Sequence, residues 1–287
     1  MSEYIISVNS TVDMPKEWVL ERADAIVALK YTMDGVTYED MNGLSPKEFF
    51  VKLREGHQAV TTQANPEQVM EVWKPFLDEG KDILHIAFTS GLSGTYNSCL
   101  IAANELKEKY PDRKIIVVDD LCACLGEAVL LYYASKLKKE GKNIEEVAKW
   151  VEDNKLKVIH YVTIDDLNHL YRGGRLSKAS AVLGSLVKLK PIIRVNDEGM
   201  LEVIAKERGR KKSMHKIVDM AYEKGKDFNN EVIFITHGDV LEEAEELAEM
   251  VKEKFTTSEV IINNIGTVIG SHTGPGVLAV FCIGESR

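Results

Sequence analysis

The stretch ILHIAFTSGLSGTYNS (residues 83–98) places an apolar run directly before small and hydroxyl-bearing residues, and a segment with helical spacing follows it. The run from Ile83 to Phe88 predicts a buried strand, and the segment beyond it predicts a helix. In an α/β protein, ligands bind where strands end and helices begin. We therefore expect a ligand at this turn, and its hydroxyl groups are the candidate contacts.

The same alternation of apolar runs and helical patterns extends on both sides of this stretch. Runs at 4–8 and 114–119 predict further strands, and the periodicity at 94–110 and 124–140 predicts helices. A βαβα order of this kind predicts a parallel sheet with helices on both faces. The first part of the chain, residues 1–156, is therefore expected to be an α/β domain.

After about residue 157 the pattern changes. The segment KPIIRVNDEGMLEVIAKERG (190–209) predicts two strands around an NDEG turn, and further strands and helices follow it. We expect a second domain at 157–287 with a mixed sheet and α+β character. A cleft between two closely packed halves is a favoured position for a ligand.

Composition narrows the class of function. The chain has 287 residues with 45% hydrophobic and 28% charged residues, and its formal net charge is −9. Because nucleic acid requires a basic surface, we expect no nucleic-acid partner. No apolar run approaches the roughly 20 residues of a membrane helix, and the start MSEYIISVNS lacks the features of a signal peptide. The expectation is a cytoplasmic, monomeric protein with at most peripheral or transient membrane contact.

The cysteines and the candidate turn suggest different chemistry. Four cysteines without tetrahedral ligand spacing predict free thiols and no metal site. At the turn, the N-terminus of the following helix favours an anion, although simple capping by Ser93 is an equally good reading. The elbow motif G-x-S-x-G fails, because Gly94 follows Ser93 directly and Thr95 stands where the second glycine belongs. A serine hydrolase or a small-anion phosphotransferase using Ser93 and His272 remains the alternative.

Three other segments carry polar residues beyond what local structure requires. In VTTQANPEQV (60–69), helix capping accounts for Asn65 and Pro66 but leaves the paired threonines Thr61 and Thr62 unexplained. In GTVIGSHTGPG (266–276), His272 is expected in a glycine-rich loop before the last strand. In RGGRLS (172–177), two arginines flank a tight turn, with a new helix start expected at Ser177.

Together these segments resemble the DegV family of bacterial fatty-acid-binding proteins. The resemblance covers essentially the whole chain. It depends on five motifs in order, which are VNSTVDMP (8–15), TTQANP (61–66), TSGLSGTYNS (89–98), LNHLYRGGRLS (167–177) and GSHTGPG (270–276). Each motif is weak alone, but five in sequence are strong.

The resemblance implies a two-domain α/β fold with an apolar tunnel between the domains and a long-chain fatty acid inside it. The residues that match the carboxylate-binding positions are Thr61 or Thr62, Ser93 and His272, with Gly94 and Asn97 in the same loop. It also implies that the chain is a carrier rather than an enzyme, without a cofactor, and that a separate fatty acid kinase makes the acyl phosphate. Arg172 and Arg175 are candidates for the kinase-facing surface. The lack of a GxxxxGK[ST] loop agrees with this division of labour.

Overall fold

A computed structural model describes residues 3–176, 189–256 and 259–287. Within these ranges the chain forms three sheets flanked by helices, which confirms the predicted α/β class with a parallel sheet first and a mixed sheet second. The helix start expected at Ser177 lies outside the described residues.

Sheet A is the parallel sheet of the N-terminal half. Its strands occur in the order β2-β1-β6-β7 and comprise β1 Tyr4–Asn9, β2 Ala25–Val27, β6 Asp82–Ala87 and β7 Ile115–Asp119. Every residue of β1 and β6 is buried, since helices cover both faces of the sheet. The run 83–88 therefore forms a central strand, as its continuous hydrophobicity predicts.

Sheet B is a small antiparallel sheet in the N-terminal half. Its order is β4-β3-β5, and its strands are β3 Lys30–Met33, β4 Val36–Glu39 and β5 Ala59–Thr62. The run AIVALKYTM (25–33) is two strands rather than one, because β2 pairs with β1 whereas β3 pairs with β4 and β5. An Asp-Gly turn joins β3 to β4, with φ of 54° at Asp34 and 77° at Gly35.

Sheet C has six strands and forms the C-terminal half. The order is β10-β9-β8-β13-β11-β12, and the strands are β8 Val158–Thr163, β9 Leu189–Val195, β10 Leu201–Arg208, β11 Val232–His237, β12 Glu259–Asn264 and β13 Leu278–Ile283. Only the pair formed by β11 and β12 is parallel. The NDEG turn joins β9 to β10 as an antiparallel hairpin, as predicted. The domain boundary at 156/157 stays a prediction, although all of sheet C follows it.

The described residues contain ten α-helices. They are α1 Lys16–Leu20, α2 Pro46–Arg54, α3 Pro66–Asp78, α4 Thr95–Lys109, α5 Leu125–Lys139, α6 Ile144–Asn154, α7 Asn168–Arg172, α8 Arg210–Gly225, α9 Leu241–Lys254 and α10 Thr267–Thr273. Helix α10 corrects the expectation of a glycine-rich loop around His272. Its Gly270 packs closely against the rings of Phe49 and Phe50, so this glycine serves helix packing.

The inner face of sheet C is directed at the N-terminal half. Helices α8 and α9 cover its outer face with one hydrophobic cluster, whereas Ile193, Phe234 and Phe281 on the inner face join the larger cluster of the N-terminal half. All four cysteines are buried free thiols. Across the described ranges, no helix is long and apolar enough to cross a membrane.

Candidate functional site

A cavity lies between the inner face of sheet C and the N-terminal half. It encloses about 860 Å³, counting space open to solvent. His160 and Val162 of β8 lie opposite Phe281 and Ala279 of β13, and all four side chains line the cavity because alternate residues of a strand face the same side. The opposite wall is mostly apolar and includes Leu29, Phe88, Leu92, Ala123, Val268 and Ile269. The cavity is therefore suited to a long apolar guest.

Polar side chains gather at one end of this cavity. The Oγ1 atom of Thr61 lies 2.8 Å from Nε2 of His272, and Nε of Arg175 donates to the carbonyl oxygen of Leu92 at 3.1 Å. Next to Leu92, Oγ of Ser93 lies 2.9 Å from Oγ1 of Thr95 and accepts from the Thr95 backbone N–H at 3.2 Å. The motifs around Thr61, Ser93, Arg175 and His272 thus converge at the start of α4, although they are far apart in the sequence. These four side chains are called the polar cluster.

Thr61 and Thr62 have different surroundings because they are neighbours on β5. Thr61 is half-buried and contacts His272, whereas Thr62 is exposed, although both side chains line the cavity. Strand alternation sends neighbouring side chains to opposite faces, so only one of the two can point into the polar cluster. The geometry favours Thr61 as the inward-facing hydroxyl.

His272 is a neutral imidazole at physiological pH. Burial, with a smaller contribution from the Arg175 guanidinium, lowers its pKa to about 4. Its Nδ1 atom is buried and has no hydrogen-bond partner among the described residues, and Gly173 lies so close that a Cβ there would collide with Nδ1. The positive charge of the cluster therefore comes from Arg175 and not from His272.

The two arginines of the RGGRLS motif differ in position. Arg175 lines the cavity, and its NH1 group donates to the carbonyl oxygen of Gly173 at 2.6 Å. Arg172 is exposed and faces only a second, outer cleft of about 720 Å³, which also contains His57 and His169. The cavity and the cleft share Thr61, Arg175 and His272 as lining residues. The polar cluster therefore separates an apolar interior from a polar exterior.

The remaining predicted loop residues are less central. Gly94 caps the N-terminus of α4 and is exposed, and a Cβ there would collide with the side-chain amide of Gln63. Asn97 is exposed on the first turn of α4 and does not line the cavity. Gly94 thus permits a close approach of the TTQ segment to the loop, whereas Asn97 faces solvent.

Nucleophilic catalysis is not supported by this arrangement. Ser93 is hydrogen-bonded to Thr95, and His272 to Thr61, with no hydrogen bond joining Ser93 to His272 in the described part of the chain. A catalytic base is normally oriented by an acidic partner, but the charged group acting on His272 is Arg175. Nor do the described residues contain a cluster of His, Cys, Asp or Glu that suits a metal ion.

Two features of the site were not found from the sequence. The apolar wall comes from strands and helices throughout the chain, and periodicity marks such residues only as core. The second feature lies outside the cavity lining and is a set of buried carboxyl groups near the VNSTVDMP motif, where both oxygens of Asp13 and one of Glu127 have no hydrogen-bond partner among the described residues. The VNSTVDMP motif was the only feature of the sequence that pointed to these carboxyl groups.

A comparison with protein families gives a match over residues 4–285 to the model described as "Uncharacterised protein, DegV family". The chain belongs to the DegV family. A DegV domain-containing protein of Clostridium perfringens, CPE0026, is 45% identical over 289 residues, which cover 100% of this chain and 99% of the relative. A DegV domain-containing protein of Streptococcus pyogenes, SPs1668, is 36% identical over 99% of each chain.

Solved DegV structures share the fold. A DegV family protein from Thermus thermophilus, described as fatty acid binding, superposes with a TM-score of 0.85 at 29% identity and covers 98% of this chain and 99% of its own. DegV from Bacillus subtilis, described as a fatty acid binding protein, gives a TM-score of 0.85 at 28% identity, with 99% and 100% covered. Structures of two DegV proteins thus carry the description of fatty acid binding.

Proposed function

We propose that this chain binds a long-chain fatty acid in the cavity and presents it to a separate ATP-dependent kinase, which forms the acyl phosphate. The observation that carries the proposal is one mostly apolar cavity with a cluster of hydroxyl, imidazole and guanidinium groups at one end. The fatty acid binding described for the Thermus and Bacillus relatives supports the same ligand class. An acyl chain and a carboxylate match the two parts of such a cavity.

The carboxylate is assigned to Thr61, Ser93 and His272. A carboxylate removed from water must receive strong hydrogen bonds or it takes up a proton. The hydroxyl groups of Ser93 and Thr61, the imidazole of His272 and the N-terminus of α4 are suitable donors, and Arg175 adds a positive charge. The exposed Thr62 is a secondary candidate, Gly94 allows the loop to approach Gln63, and Asn97 is left out of the proposed contacts.

The kinase is expected to be a separate protein. The sequence has no Walker-type phosphate loop. The outer cleft meets the cavity at the polar cluster, so a kinase docked there would reach the carboxylate without entering the apolar interior. The exposed Arg172 at this cleft is the candidate contact with the kinase. We place this carrier in the cytoplasm, with transient membrane contact at most.

Lipid extraction tests the proposal most directly. The purified chain is extracted with organic solvent, the extract is analysed by mass spectrometry, and the delipidated protein is then titrated with fatty acid. Recovery of stoichiometric fatty acid and rebinding of added acid are expected. An empty extract together with failure to rebind would refute the carrier role. Labelling of Ser93 by a serine-directed phosphonate would instead support the hydrolase alternative.

A further inference from the structure

Four carboxyl groups are buried beside the VNSTVDMP motif, apart from the polar cluster. They belong to Asp13, Asp40, Asp120 and Glu127, whose exposed fractions are 4%, 1%, 0% and 2%. None of them lines the cavity. Residues 9–13 connect β1 to α1, Asp120 follows β7, and Glu127 lies in the first turn of α5. The motif therefore brings acidic groups from several segments into one buried region.

Asp13 differs from Asp40 in its partners. Asp40 accepts hydrogen bonds from Oγ of Ser10 at 2.8 Å and from Oγ1 of Thr267 at 2.7 Å. Neither carboxyl oxygen of Asp13 has a hydrogen-bond partner within the described residues, and the same holds for Oε1 of Glu127. The other oxygen of Glu127 accepts from Oγ1 of Thr11 at 3.0 Å. Asp13 is thus a buried carboxyl group without hydrogen bonds that would stabilise its charge.

The neighbouring groups also disfavour a negative charge on Asp13. Burial raises its pKa most strongly and the Asp40 carboxyl raises it further, while the Cys124 thiol and the Gly266 N–H offset part of the effect without reaching hydrogen-bond geometry. Burial likewise raises the pKa of Glu127, next to Asp120, Asp13 and Asp40. The charged groups acting on Asp120 are Asp119, Arg287 and Lys155. Neither Asp13 nor Glu127 forms an ion pair in the described part of the chain.

The Asp13 region also contacts the segment that leads into α10. The carbonyl oxygen of Asp13 accepts from Nδ2 of Asn263 at 2.6 Å. Gly266, the cap of α10, lies so close that a Cβ there would collide with Oδ1 of Asp13. Helix α10 carries His272 of the polar cluster. The carboxyl group of Asp13 is thus enclosed between the N-terminal half and the helix that positions His272.

We propose that Asp13 and Glu127 form a proton-dependent latch: both stay uncharged at neutral pH, and the uncharged Asp13 carboxyl group lets Gly266 at the start of α10 pack against the N-terminal half. An ionised, unpaired carboxylate in this region would lose several kcal/mol of solvation, so folding at neutral pH takes up protons instead. Because folding raises the pKa values of Asp13 and Glu127, their contribution to the stability of the folded state is complete at acidic pH. It is lost as the pH rises through the folded pKa values. The latch requires no bound lipid.

Asp13→Asn is the matched variant for the test. Asparagine has the same shape without the charge, and it tolerates the left-handed backbone of Asp13, whose φ is 52°. Equilibrium unfolding of lipid-free protein is measured between about pH 7 and about pH 8, where free histidines are mostly neutral and free thiols mostly protonated. The unfolding constant of the wild type should rise more steeply with pH than that of Asp13→Asn, by up to tenfold per pH unit, which is the limit for one proton released on unfolding. Parallel profiles would overturn the proposal for Asp13.

Two further measurements keep the test decisive if Asp13→Asn does not fold. Refolding of the wild type at about pH 7.5 should take up protons, which calorimetry in two buffers of different ionisation enthalpy detects, and Glu127→Gln should reduce that uptake by up to one proton. Asp40→Asn serves as the contrast, because it disrupts the hydrogen bonds of Ser10 and Thr267 and should lower stability throughout the range. Absence of proton uptake by the wild type would refute the latch as a whole.

Discussion

At the scale of single residues, the hydrogen bond between Thr61 and His272 determines which of their groups can donate to a ligand. It joins a strand of sheet B to α10 and directs a hydroxyl and an imidazole towards the same space. Because His272 is neutral, its single N–H can donate to Thr61 and leave the Thr61 hydroxyl free to donate to a ligand, without burying a second positive charge beside Arg175. Thr62, one residue further on, has no such contact among the described residues.

The paired threonines provide a matched test of the carboxylate site. Thr61→Val removes the hydroxyl that contacts His272, while Thr62→Val makes the same chemical change on an exposed position. A hydrogen bond to a charged group contributes about 1.5–3 kcal/mol, so Thr61→Val should weaken fatty acid binding roughly tenfold to a hundredfold. Isothermal titration with delipidated protein measures both affinities. Equal losses in the two variants would contradict the assignment of Thr61.

The low pKa of His272 predicts acid lability. The folded pKa of about 4 lies below the value of 6.5 for a free histidine, so the unfolded chain binds more protons between these values. The resulting stability is present above pH 6.5 and is lost as the pH falls towards 4, with a magnitude on the order of 3 kcal/mol. His272→Gln should flatten this part of the pH–stability curve in chemical unfolding. An unchanged slope would mean that folding does not lower the pKa of His272.

At the scale of elements, α7 and the turn after it give the two arginines separate roles. Helix α7 ends at Arg172, which stays exposed, and the turn through Gly173 and Gly174 brings Arg175 back onto the Leu92 carbonyl. The glycine at 174 has φ of 69°, which a residue with a side chain adopts only with strain. The turn is therefore what separates the outer arginine from the inner one.

Substituting each arginine with glutamine should separate kinase contact from lipid binding. Arg172→Gln should leave fatty acid affinity within about twofold, because Arg172 does not line the cavity, and should slow acyl-phosphate formation with the kinase. Arg175→Gln should weaken fatty acid binding about tenfold through loss of the charge beside the carboxylate. Affinity and acyl-phosphate formation are measured on the same preparations. A loss of affinity in Arg172→Gln would move that residue into the ligand site.

At the scale of the whole molecule, the ligand space exists only because two halves are packed together. One wall is the inner face of sheet C, and the other combines loops of the N-terminal half with α10. The hydroxyl groups of the N-terminal half and the imidazole of the C-terminal half meet only in this arrangement. Separation of the halves would therefore remove the cavity and the polar cluster together.

A series of saturated fatty acids should show the apolar cavity in binding. Burial of each CH₂ group contributes about 0.8 kcal/mol, which corresponds to about a fourfold gain in affinity per carbon. Affinity should rise steadily with chain length until the cavity is filled and then stop rising. Fatty alcohols of equal length are the control, because they keep the chain and lose the charge. Affinity independent of chain length would show that the chain lies outside the cavity.

The sequence by itself determined the fold class and the motifs of the site. A strand made only of apolar residues requires helices on both faces of its sheet. The run 83–88 therefore predicts a strand of a parallel sheet without further information. The five motifs also indicated the family, and they selected Thr61 or Thr62, Ser93 and His272 as carboxylate contacts and Arg175 as a kinase-facing candidate; the fold brings all of these side chains around one cavity. Local sequence is sufficient to predict these features because buried strands and turns require characteristic residues at fixed spacing.

Only the tertiary structure distinguished Thr61 from Thr62 and showed the surroundings of the VNSTVDMP motif. Whether Thr61 or Thr62 faces inward depends on the register of β5, which follows from its pairing with β3. The helix at 267–273 looked like a glycine loop, because the rings that pack on Gly270 come from α2. The state of Asp13 depends on its burial and on neighbours more than 100 residues away in the chain, at Cys124 and Gly266. Register, packing and burial arise from contacts distant in the chain, so local sequence does not specify them.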